Sequence, residues 1–474
     1  MHDVAVVGAG PAGLAAVDVL ASHGARVLVV DEQPRAGGQI HRQPPATFAA
    51  ATVPAGRALL AVAERADVDW WWRTAGWGVF GGHAGLDDFA GSTPADRADG
   101  DGPMRLAVHG PDGARTVRPR AVLLTAGAYD LPVPFPGWTL PGVLTAGGVQ
   151  VFVKSAHLLP GRRFVLAGAH PLLLVVAAQL VAAGAEVAEV LLVRRPRAGA
   201  LLRMLPAAAG NTGKLREGGH ALAVLRRAGV PVRFGTRVVR ADAGPDGELA
   251  AVVLAAPDGT HRTVPADVLA LGYGFVPSTD LARQAGCAVR YDPAAGGWVV
   301  THDRWQRSSV PRVSVAGEIT GVAGAEQAVA EGRLAALGLL ADLGLVPAPR
   351  IGRLARPVRR DLRRRRRFAT ALAAAFPPPA PAPADDETVL CRCEEVTAGT
   401  VRAALRANPH LRTANGVKLL TRTGMGLCQG RSCQPAVCAL IAAETGRSVA
   451  EVGPYTARPP IRPIPLGTLA GGDP

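Results

Sequence analysis

Four cysteines near the end of the chain have a spacing that suits a metal centre. They form a C-x-C pair and a C-x4-C pair separated by 34 residues, namely Cys391, Cys393, Cys428 and Cys433. Two close pairs can bring four thiolates to one site, and all-thiolate ligation suits a [2Fe–2S] cluster or Zn²⁺. Zinc sites more often use C-x-x-C pairs. The spacing therefore predicts a [2Fe–2S] cluster, with Zn²⁺, disulfides and free thiols as the alternatives.

The two remaining cysteines do not fit this pattern. Cys438 follows Cys433 by about one helical turn on an apolar run, so we interpret it as a buried small hydrophobic residue. Cys287 lies alone in the N-terminal part of the chain, which contains no C-x-x-C motif. A redox-active dithiol relay is therefore excluded for that part.

A glycine-rich turn near the N-terminus indicates dinucleotide binding. Gly8, Gly10 and Gly13 form a G-x-G-x-x-G motif between a predicted strand (residues 3–7) and a predicted helix (residues 11–23). The first glycine permits the tight turn, the second lets the backbone approach a pyrophosphate, and the third allows close packing of helix on strand. The pyrophosphate then meets the partial positive charge of the helix N-terminus.

The next predicted strand, residues 26–30, ends at Asp31-Glu32, where a carboxylate can accept hydrogen bonds from both ribose hydroxyls. Asp31 is the better candidate because it follows the strand directly. Three later segments favour FAD over NAD, since they resemble loops of flavoproteins with two dinucleotide-binding domains: one after this strand and two at the ends of later strands. Their candidate cofactor-binding residues are Gly38, Gln39, Thr125, Gly127, Gly317 and Glu318.

A second strand–turn–helix–strand unit spans residues 163–193, but its turn is altered. Gly168 is present, whereas His170 and Leu173 occupy the second and third glycine positions. A side chain at the second position blocks the approach of a pyrophosphate, and a leucine at the third pushes the helix from the strand. We therefore expect a domain that keeps the fold but has poor or no NAD(P) affinity. His170 could be a ligand or a base; we interpret it as filling a disused turn.

Strands that alternate with helices predict an α/β fold with parallel sheets. Irregular and hairpin-like segments are expected around the tryptophans at residues 70–72, and a Pro-rich spacer at residues 376–386 separates the cysteine-bearing tail. The predicted domains are an FAD-binding domain in two pieces (1–150 and 276–345), a second, degenerate dinucleotide-binding domain (151–275), a helix and Pro-rich linker (346–387) and a small helical cysteine-bearing domain (388–474).

The charge of the chain says little about its function. The net charge is +14, but only three of the 52 basic residues are lysines, which indicates compositional bias. The arginine run at residues 359–367 is interpreted as a solvated helix face rather than a nucleic-acid site, with docking to an acidic partner as a further alternative. The apolar stretch 164–193 is interrupted by polar residues and glycines, so no transmembrane span is predicted. With no N-terminal signal visible, we expect a cytoplasmic protein, and peripheral membrane association is left open.

The sequence resembles a known family at both ends. The phrases CRCEEVT and GMGLCQGRSC closely resemble the [2Fe–2S] domain of bacterioferritin-associated ferredoxins (BFD). Together with DEQPRAGGQI in the flavin part, they resemble the FAD-binding alpha-type subunits of heteromeric bacterial amino- and imino-acid dehydrogenases, such as opine oxidase A and hydrogen cyanide synthase B subunits. The resemblance implies a pyridine nucleotide-disulfide reductase-like pair of Rossmann domains followed by a BFD-like domain.

The resemblance also implies a division of labour between subunits. A D-amino-acid-oxidase-like FAD subunit would oxidise the C–N bond of a small amino or imino acid, and this chain would pass the electrons through its FAD and cluster. No catalytic residue is identified; Glu326 and His41 lie near the predicted flavin loops and are interpreted as structural. Two alternatives are a self-sufficient NAD(P)H-dependent reductase and a non-catalytic iron–sulfur scaffold.

Overall fold

The first sheet of the protein is parallel and buried on both faces. The computed structural model describes residues 1–45, 56–81, 104–196, 199, 204, 211–377 and 384–467. The sheet has five strands, in the order Val313–Val315, Ala121–Leu124, Val4–Val7, Val27–Val30 and Val68–Trp71. Val4 pairs with Val27 on one side and with Ala121 on the other. The near-continuous apolar runs of the central strands follow from this two-sided burial.

Two helices that are far apart in sequence cover one face of the first sheet together. Helix Pro11–Ala21 packs against helix Ala325–Asp342. A glycine permits the closest approach: a Cβ at Gly332 would lie 2.0 Å from the carbonyl oxygen of Ala12. This contact brings the end of strand Val313–Val315 beside the glycine-rich turn.

The second sheet repeats the parallel design. Its five strands lie in the order Val232–Phe234, Glu186–Leu192, Arg163–Gly168, Val268–Gly272 and Val143–Thr145. Helices Ala146–Val151, Leu172–Ala182 and Thr212–Arg227 pack on one face. An antiparallel sheet covers the other face, with strands Arg237–Ala243, Leu249–Ala255 and His261–Pro265. The apolar stretch is thus strand, turn, helix and strand, as predicted, and no described helix is long and apolar enough to cross a membrane.

The remaining strands connect or flank the two sheets. Strands Ala128–Asp130 and Phe275–Pro277 pair antiparallel where the chain passes between the sheets. Two further antiparallel groups consist of Ala75–Phe80, Arg105–Gly110 and Gly113–Val117, and of Val289–Asp292 and Gly297–Val300. Short helices span Arg57–Leu60 and Asp280–Gln284, and short 3₁₀ or π segments span Ala61–Glu64, Phe152–Ala156, Pro293–Ala295 and Glu318–Thr320.

The tryptophan segment differs from the expectation. The prediction of irregular and hairpin-like structure holds for the described antiparallel strands after residue 74, whereas residues 82–103 lie outside the described residues. It is wrong for Val68–Trp71, which is a parallel edge strand of the first sheet. Alternate residues of a strand point to the same face, and the rings of Trp70 and Trp72 stack with centroids 5.2 Å apart. The sequence signal was weak because this strand is short and only half-buried.

A long helix, Ala348–Ala375, joins the sheets to the C-terminal part of the chain. Leu362 and Phe368 are buried, whereas most of the arginines between them are exposed, as the prediction of a solvated face requires. Arg365 pairs with Glu326, and Arg366 lies 3.3 Å from Glu331. Most of the predicted Pro-rich spacer, residues 378–383, lies outside the described residues.

The described residues 384–467 form a small module with a core of its own, here called the C-terminal module. It contains a two-stranded ladder, Val389–Cys391 with Val396–Thr397, and helices Ala398–Ala407, Ala414–Thr421, Gln434–Thr445 and Val449–Val452. Side chains cap three of these helices: Thr397 and Thr413 accept from backbone N–H groups, and Ser448 forms a capping box with Glu451. The mixed α/β architecture with a small helical module confirms the predicted fold class.

Candidate functional site

In the glycine-rich turn, Gly8 and Gly13 are required by close contacts, whereas Gly10 leaves the backbone open. Gly8 has a φ of +107°, and a Cβ there would lie 2.6 Å from the carbonyl oxygen of Thr125. A Cβ at Gly13 would lie 1.9 Å from the carbonyl oxygen of Gly8. Gly10, in contrast, has only the Cα of Gly38 nearby, at 3.8 Å from such a Cβ. Its position is therefore open toward the cavity, where a pyrophosphate would approach.

Asp31 lies at the end of the second strand and supports this turn. Its Oδ2 accepts a hydrogen bond of 2.6 Å from the Ala9 N–H, and its Oδ1 accepts one of 2.7 Å from the Gln33 N–H. Burial raises the pKa of this carboxyl, and the two N–H donors oppose the rise. Each carboxylate oxygen keeps a further lone pair, so a ribose contact is compatible with both bonds. Glu32 instead forms an ion pair with Arg462.

The turn after the last strand of the first sheet is organised by a carboxylate that the sequence patterns did not reveal. Glu331 is 1% exposed and accepts hydrogen bonds from the Gly317 N–H (3.1 Å) and the Thr320 hydroxyl (2.7 Å). Glu318, in the same turn, is partly buried and accepts a 2.9 Å bond from the Gly324 N–H. Burial raises the pKa of Glu318, and Lys214 is among the groups that oppose the rise.

Lys214 reaches into this region from the second-sheet side. Its Nζ donates a 3.3 Å hydrogen bond to the carbonyl of Ala323 and lies 2.9 Å from where a Cβ at Gly324 would be. Burial lowers the pKa of this ammonium, and Glu326 opposes the fall. The rarity of lysine in a chain rich in arginine was the one signal that could have drawn attention to Lys214.

One large cavity connects these loops. Its volume is about 1080 Å³, which is at the upper end of small-molecule and cofactor sites. It is lined by every predicted dinucleotide-binding residue except Gly13, which packs helix on strand: Gly8, Gly10, Asp31, Glu32, Gly38, Gln39, Thr125, Gly127, Gly317 and Glu318. The open backbone at Gly10, with Asp31 on one side and Glu318 on the other among the lining residues, fits an extended dinucleotide.

The altered turn of the second sheet is filled by side chains. Leu173 is fully buried, and a Cβ at Gly272 would lie 2.6 Å from its Cδ2. The His170 ring packs edge-on against Phe275 with centroids 5.3 Å apart, and its Nδ1 accepts a 3.2 Å bond from the Leu172 N–H. Burial, helped by Lys214, lowers the pKa of His170 to about 4. A neutral, packed histidine agrees with the interpretation of a disused turn.

The two residues considered near the flavin loops have structural partners. Glu326 pairs with Arg365 of the long helix. The His41 ring lies beside Gly56, where a Cβ would come within 2.8 Å of it. Neither contact points to a catalytic role, in line with the interpretation from the sequence.

The four cysteines predicted as ligands meet in the C-terminal module as two contacting pairs. The buried thiols of Cys391 and Cys433 hydrogen-bond to each other, and Cys393 and Cys428 form the other pair. The Cys433 thiol and backbone N–H groups, including that of Gly424, donate to Cys391 and lower its pKa to about 6. In the described part of the chain no three His, Cys, Asp or Glu side chains already form a metal-ligand geometry. Four thiols with N–H donors nonetheless fit a thiolate-ligated [2Fe–2S] cluster.

The loop formed by residues 424–433, here called the cysteine loop, contains glycines that let it close around a tyrosine. A Cβ at either Gly424 or Gly430 would lie 2.6 Å from the ring of Tyr455, and one at Gly426 would lie 2.3 Å from the Cβ of Cys393. The Tyr455 hydroxyl is 3.9 Å from the Cys433 sulfur. Cys438 is buried, as predicted, and its thiol donates to the Gly453 carbonyl at 3.4 Å.

The C-terminal module is joined to the rest of the protein by direct contacts. The Trp138 indole N–H donates to the Val389 carbonyl at 2.7 Å, and Arg431 lies 3.6 Å from Asp280. Tyr129 lines the cavity on this side; burial raises the pKa of its phenol, with smaller contributions from Asp280 and Cys428. The cysteine loop and the large cavity are therefore close neighbours.

The comparisons with known proteins agree with this geometry. Residues 2–332 match the family model for pyridine nucleotide-disulphide oxidoreductases, and residues 389–443 match the BFD-like [2Fe-2S] binding domain. The chain is therefore an FAD-dependent oxidoreductase of the pyridine nucleotide-disulphide oxidoreductase family, with FAD and a [2Fe–2S] cluster as its cofactors.

Full-length relatives narrow this class further. The chain is 38% identical to the A subunit of opine oxidase from Rhizobium meliloti (strain 1021), over 99% of this chain and 98% of the relative. It is 34% identical to the hydrogen cyanide synthase subunit HcnB of Pseudomonas aeruginosa, over 98% of this chain and 97% of the relative. The chain belongs to the family of these subunits, which confirms the resemblance read from the motifs. The crystal structure of L-proline dehydrogenase from P. horikoshii has the same fold, with a TM-score of 0.69 at 19% identity, over 99% of this chain and 79% of that one.

Proposed function

We propose that this chain is the electron-transferring subunit of a hetero-oligomeric dehydrogenase that oxidises the C–N bond of a small amino or imino acid. A D-amino-acid-oxidase-like FAD subunit would bind and oxidise the substrate. The relatives' names support the proposal, since the opine oxidase and hydrogen cyanide synthase relatives are both named as subunits. When bound, FAD exchanges electrons in pairs or singly, and a [2Fe–2S] cluster carries one at a time.

One observation carries the proposal: a single cavity is shared by the dinucleotide loops and the helix that follows a predicted cluster ligand. Gln434 and Cys438, on the helix that begins directly after Cys433, line the same cavity as Gly10 and Glu318. The predicted FAD and cluster sites would therefore be neighbours within one chain, as intramolecular electron transfer requires.

The site residues have distinct tasks in this proposal. The FAD site would be formed by Gly8, Gly10, Gly13, Asp31, Glu32, Gly38, Gln39, Thr125, Gly127, Gly317 and Glu318. The cluster ligands would be Cys391, Cys393, Cys428 and Cys433. The backbone at Gly10 and the following helix N-terminus would bind the pyrophosphate, while buried Glu331 keeps the Glu318 turn in place.

The filled turn at His170 and Leu173 favours an amine donor over a nicotinamide. Both side chains are packed where a dinucleotide would need free backbone. A self-sufficient NAD(P)H-dependent reductase is therefore the weaker alternative. The non-catalytic scaffold is weaker too, because the cavity is large and lined by the full set of FAD loops.

Exposed leucines near the cysteine loop support association with a partner protein. Leu419, Leu420 and Leu427 are 74%, 57% and 79% exposed. Leu419 and Leu420 lie in the last turn of helix Ala414–Thr421, Leu427 directly precedes Cys428, and Cys393 is also exposed. Exposed apolar side chains grouped in this way mark interaction surfaces.

Co-expression with an amino-acid-oxidase-like protein encoded by a neighbouring gene tests the proposal. We expect a stable complex whose flavin is bleached anaerobically by an amino or imino acid in stopped-flow mixing, followed by bleaching of the cluster. Rapid bleaching of the isolated chain by NADH would favour the reductase. Absence of flavin from the purified protein would favour the scaffold, and a monomer that oxidises the amine alone would contradict a role as one subunit of a complex.

A further inference from the structure

The segment after the last described helix leaves the C-terminal module and returns to the first sheet. Ile461 is 7% exposed and belongs to the core formed by Leu28, Val30 and Val79. Its N–H donates a 3.1 Å hydrogen bond to the carbonyl of Trp77. This anchoring fixes where the next residue, Arg462, must lie.

Arg462 is thereby placed in the wall of the large cavity. It lines the cavity beside Asp31, Glu32 and Gln33, at the end of the second strand. Its guanidinium forms an ion pair with Glu32, and its side chain is 30% exposed. Burial lowers the pKa of Arg462. Arg431, which lies between two predicted cluster ligands, is near enough to lower it further. Glu32 and Arg462 are 430 positions apart in sequence, so only the folding of the chain brings their side chains together.

We propose that Arg462 is a positioning residue of the FAD site, supplied by the C-terminal segment to the adenosine end of the cofactor. The end of the second strand is where a dinucleotide-binding fold receives the adenosine ribose. Two adjacent carboxylates stand there, Asp31 and Glu32, and the cofactor itself brings a negatively charged pyrophosphate. Pairing with Arg462 neutralises Glu32 and fixes its orientation beside Asp31, the candidate for the ribose hydroxyls.

The consequence is that the cofactor site is completed only when the chain beyond the cysteine loop is in place. The same segment begins at Tyr455, whose ring contacts the glycines of the cysteine loop. Its carbonyl accepts a 2.5 Å hydrogen bond from Arg283. Arg462 lies outside both the glycine-rich motif and the matched cluster domain, which ends at residue 443.

The test compares Arg462→Gln with Arg458→Gln, which changes an exposed arginine of the same segment. Apo-protein is titrated with FAD, followed by flavin fluorescence, and with ADP in competition. We expect Arg462→Gln to raise the Kd for FAD and for ADP by about tenfold, with the apo-protein melting temperature unchanged. Arg458→Gln should leave both dissociation constants at the wild-type values.

Three results would overturn the assignment. They are an unchanged Kd for FAD in Arg462→Gln, a loss for FAD that ADP does not share, and a lower melting temperature of the apo-protein without a change in Kd. If Arg462→Gln does not fold, Arg462→Lys keeps the charge but loses the planar fork. A Kd for FAD within twofold of wild type in Arg462→Met, which keeps the aliphatic stem and loses the charge, would then count against the proposal.

Discussion

Arg283 of the first-sheet part donates a 2.5 Å hydrogen bond to the carbonyl of Tyr455, and the ring of that tyrosine lies against the cysteine loop. Arg283 also pairs with Asp280, which in turn faces Arg431 of the loop. Arg283, whose side chain is 10% exposed, therefore joins the short helix Asp280–Gln284 to Tyr455 directly and, through Asp280, to Arg431. Because two cofactors exchange electrons only at short range, we expect this link to affect electron transfer between flavin and cluster.

Replacing Arg283 should loosen the C-terminal module. Arg283→Met removes the donor to the Tyr455 carbonyl and leaves Asp280 with Arg431 as its remaining cation, at a cost of about 1–3 kcal/mol. We expect faster hydrogen exchange in residues 455–462 and slower electron transfer from flavin to cluster in rapid-mixing experiments. Arg290→Met, which removes an exposed pair with Asp292, is the control and should change neither. Equal transfer rates in both variants would contradict the role of Arg283.

The predicted ligand set includes Cys433 and excludes Cys438, although both are buried at helix Gln434–Thr445. Cys433→Ser removes a predicted ligand, so the visible absorption and EPR signal of the [2Fe–2S] cluster should be lost while FAD is retained. Cys438→Ser alters a thiol that donates to the Gly453 carbonyl, away from the predicted ligand set, and the cluster should remain. A cluster that survives Cys433→Ser, or one lost in Cys438→Ser, would require a different ligand set.

The partly buried His170 makes stability depend on pH in a defined window. Its pKa falls from 6.5 to about 4 on folding, because burial and Lys214 disfavour the imidazolium. Between these values the unfolded chain binds more protons than the native one, so stability falls as the pH falls, by on the order of 3 kcal/mol. His170→Asn keeps an acceptor for the Leu172 N–H but cannot titrate. Denaturant unfolding at pH 7 and pH 4 should show a smaller loss for the variant; parallel losses would contradict the neutral histidine.

The parts of the site that rest on local spacing were predictable from the sequence. Gly13 is required by a contact within one turn, where a Cβ would lie 1.9 Å from the Gly8 carbonyl oxygen, and Gly8 is required by its φ of +107°. The C-x-C pair that begins at Cys391 and the C-x4-C pair that ends at Cys433 were recognisable because thiolate ligation needs few residue types at short intervals. The degenerate second turn was visible for the same reason, since His170 and Leu173 stand where glycines are needed.

The parts that depend on long-range packing were not predictable. Glu331 supports the Glu318 turn from the helix that follows it, across 14 positions from Gly317 and 11 from Thr320. Arg462 reaches Glu32 only because Ile461 is buried under the first sheet. No periodicity or motif records such contacts, because they connect segments whose distance in sequence carries no information about their distance in space.

Lys214 should raise the reduction potential of the flavin. Its ammonium lines the cavity beside Glu318 and the Gly324 turn, beyond the pyrophosphate region at Gly10. A positive charge there stabilises the electron-rich reduced cofactor relative to the oxidised one. Lys214→Met should therefore lower the two-electron potential by ~30 mV, the equivalent of about 1.4 kcal/mol, as measured by dye-coupled equilibration. Lys214→Arg keeps the charge and should stay near the wild-type value; identical potentials in all three proteins would contradict this role.

The exposed leucines beside the cysteine loop should mediate binding of the partner protein. Leu427 is 79% exposed and directly precedes Cys428, so a partner that exchanges electrons with the cluster would cover it. Leu427→Asp places a charge in that contact and should weaken the complex by about 1.4–2.8 kcal/mol, or roughly 10- to 100-fold in Kd, with flavin and cluster absorption unchanged. Leu158→Asp alters a 58% exposed leucine next to the second sheet and should leave the complex intact. Equal affinities of the two variants in analytical ultracentrifugation would show that the partner binds elsewhere.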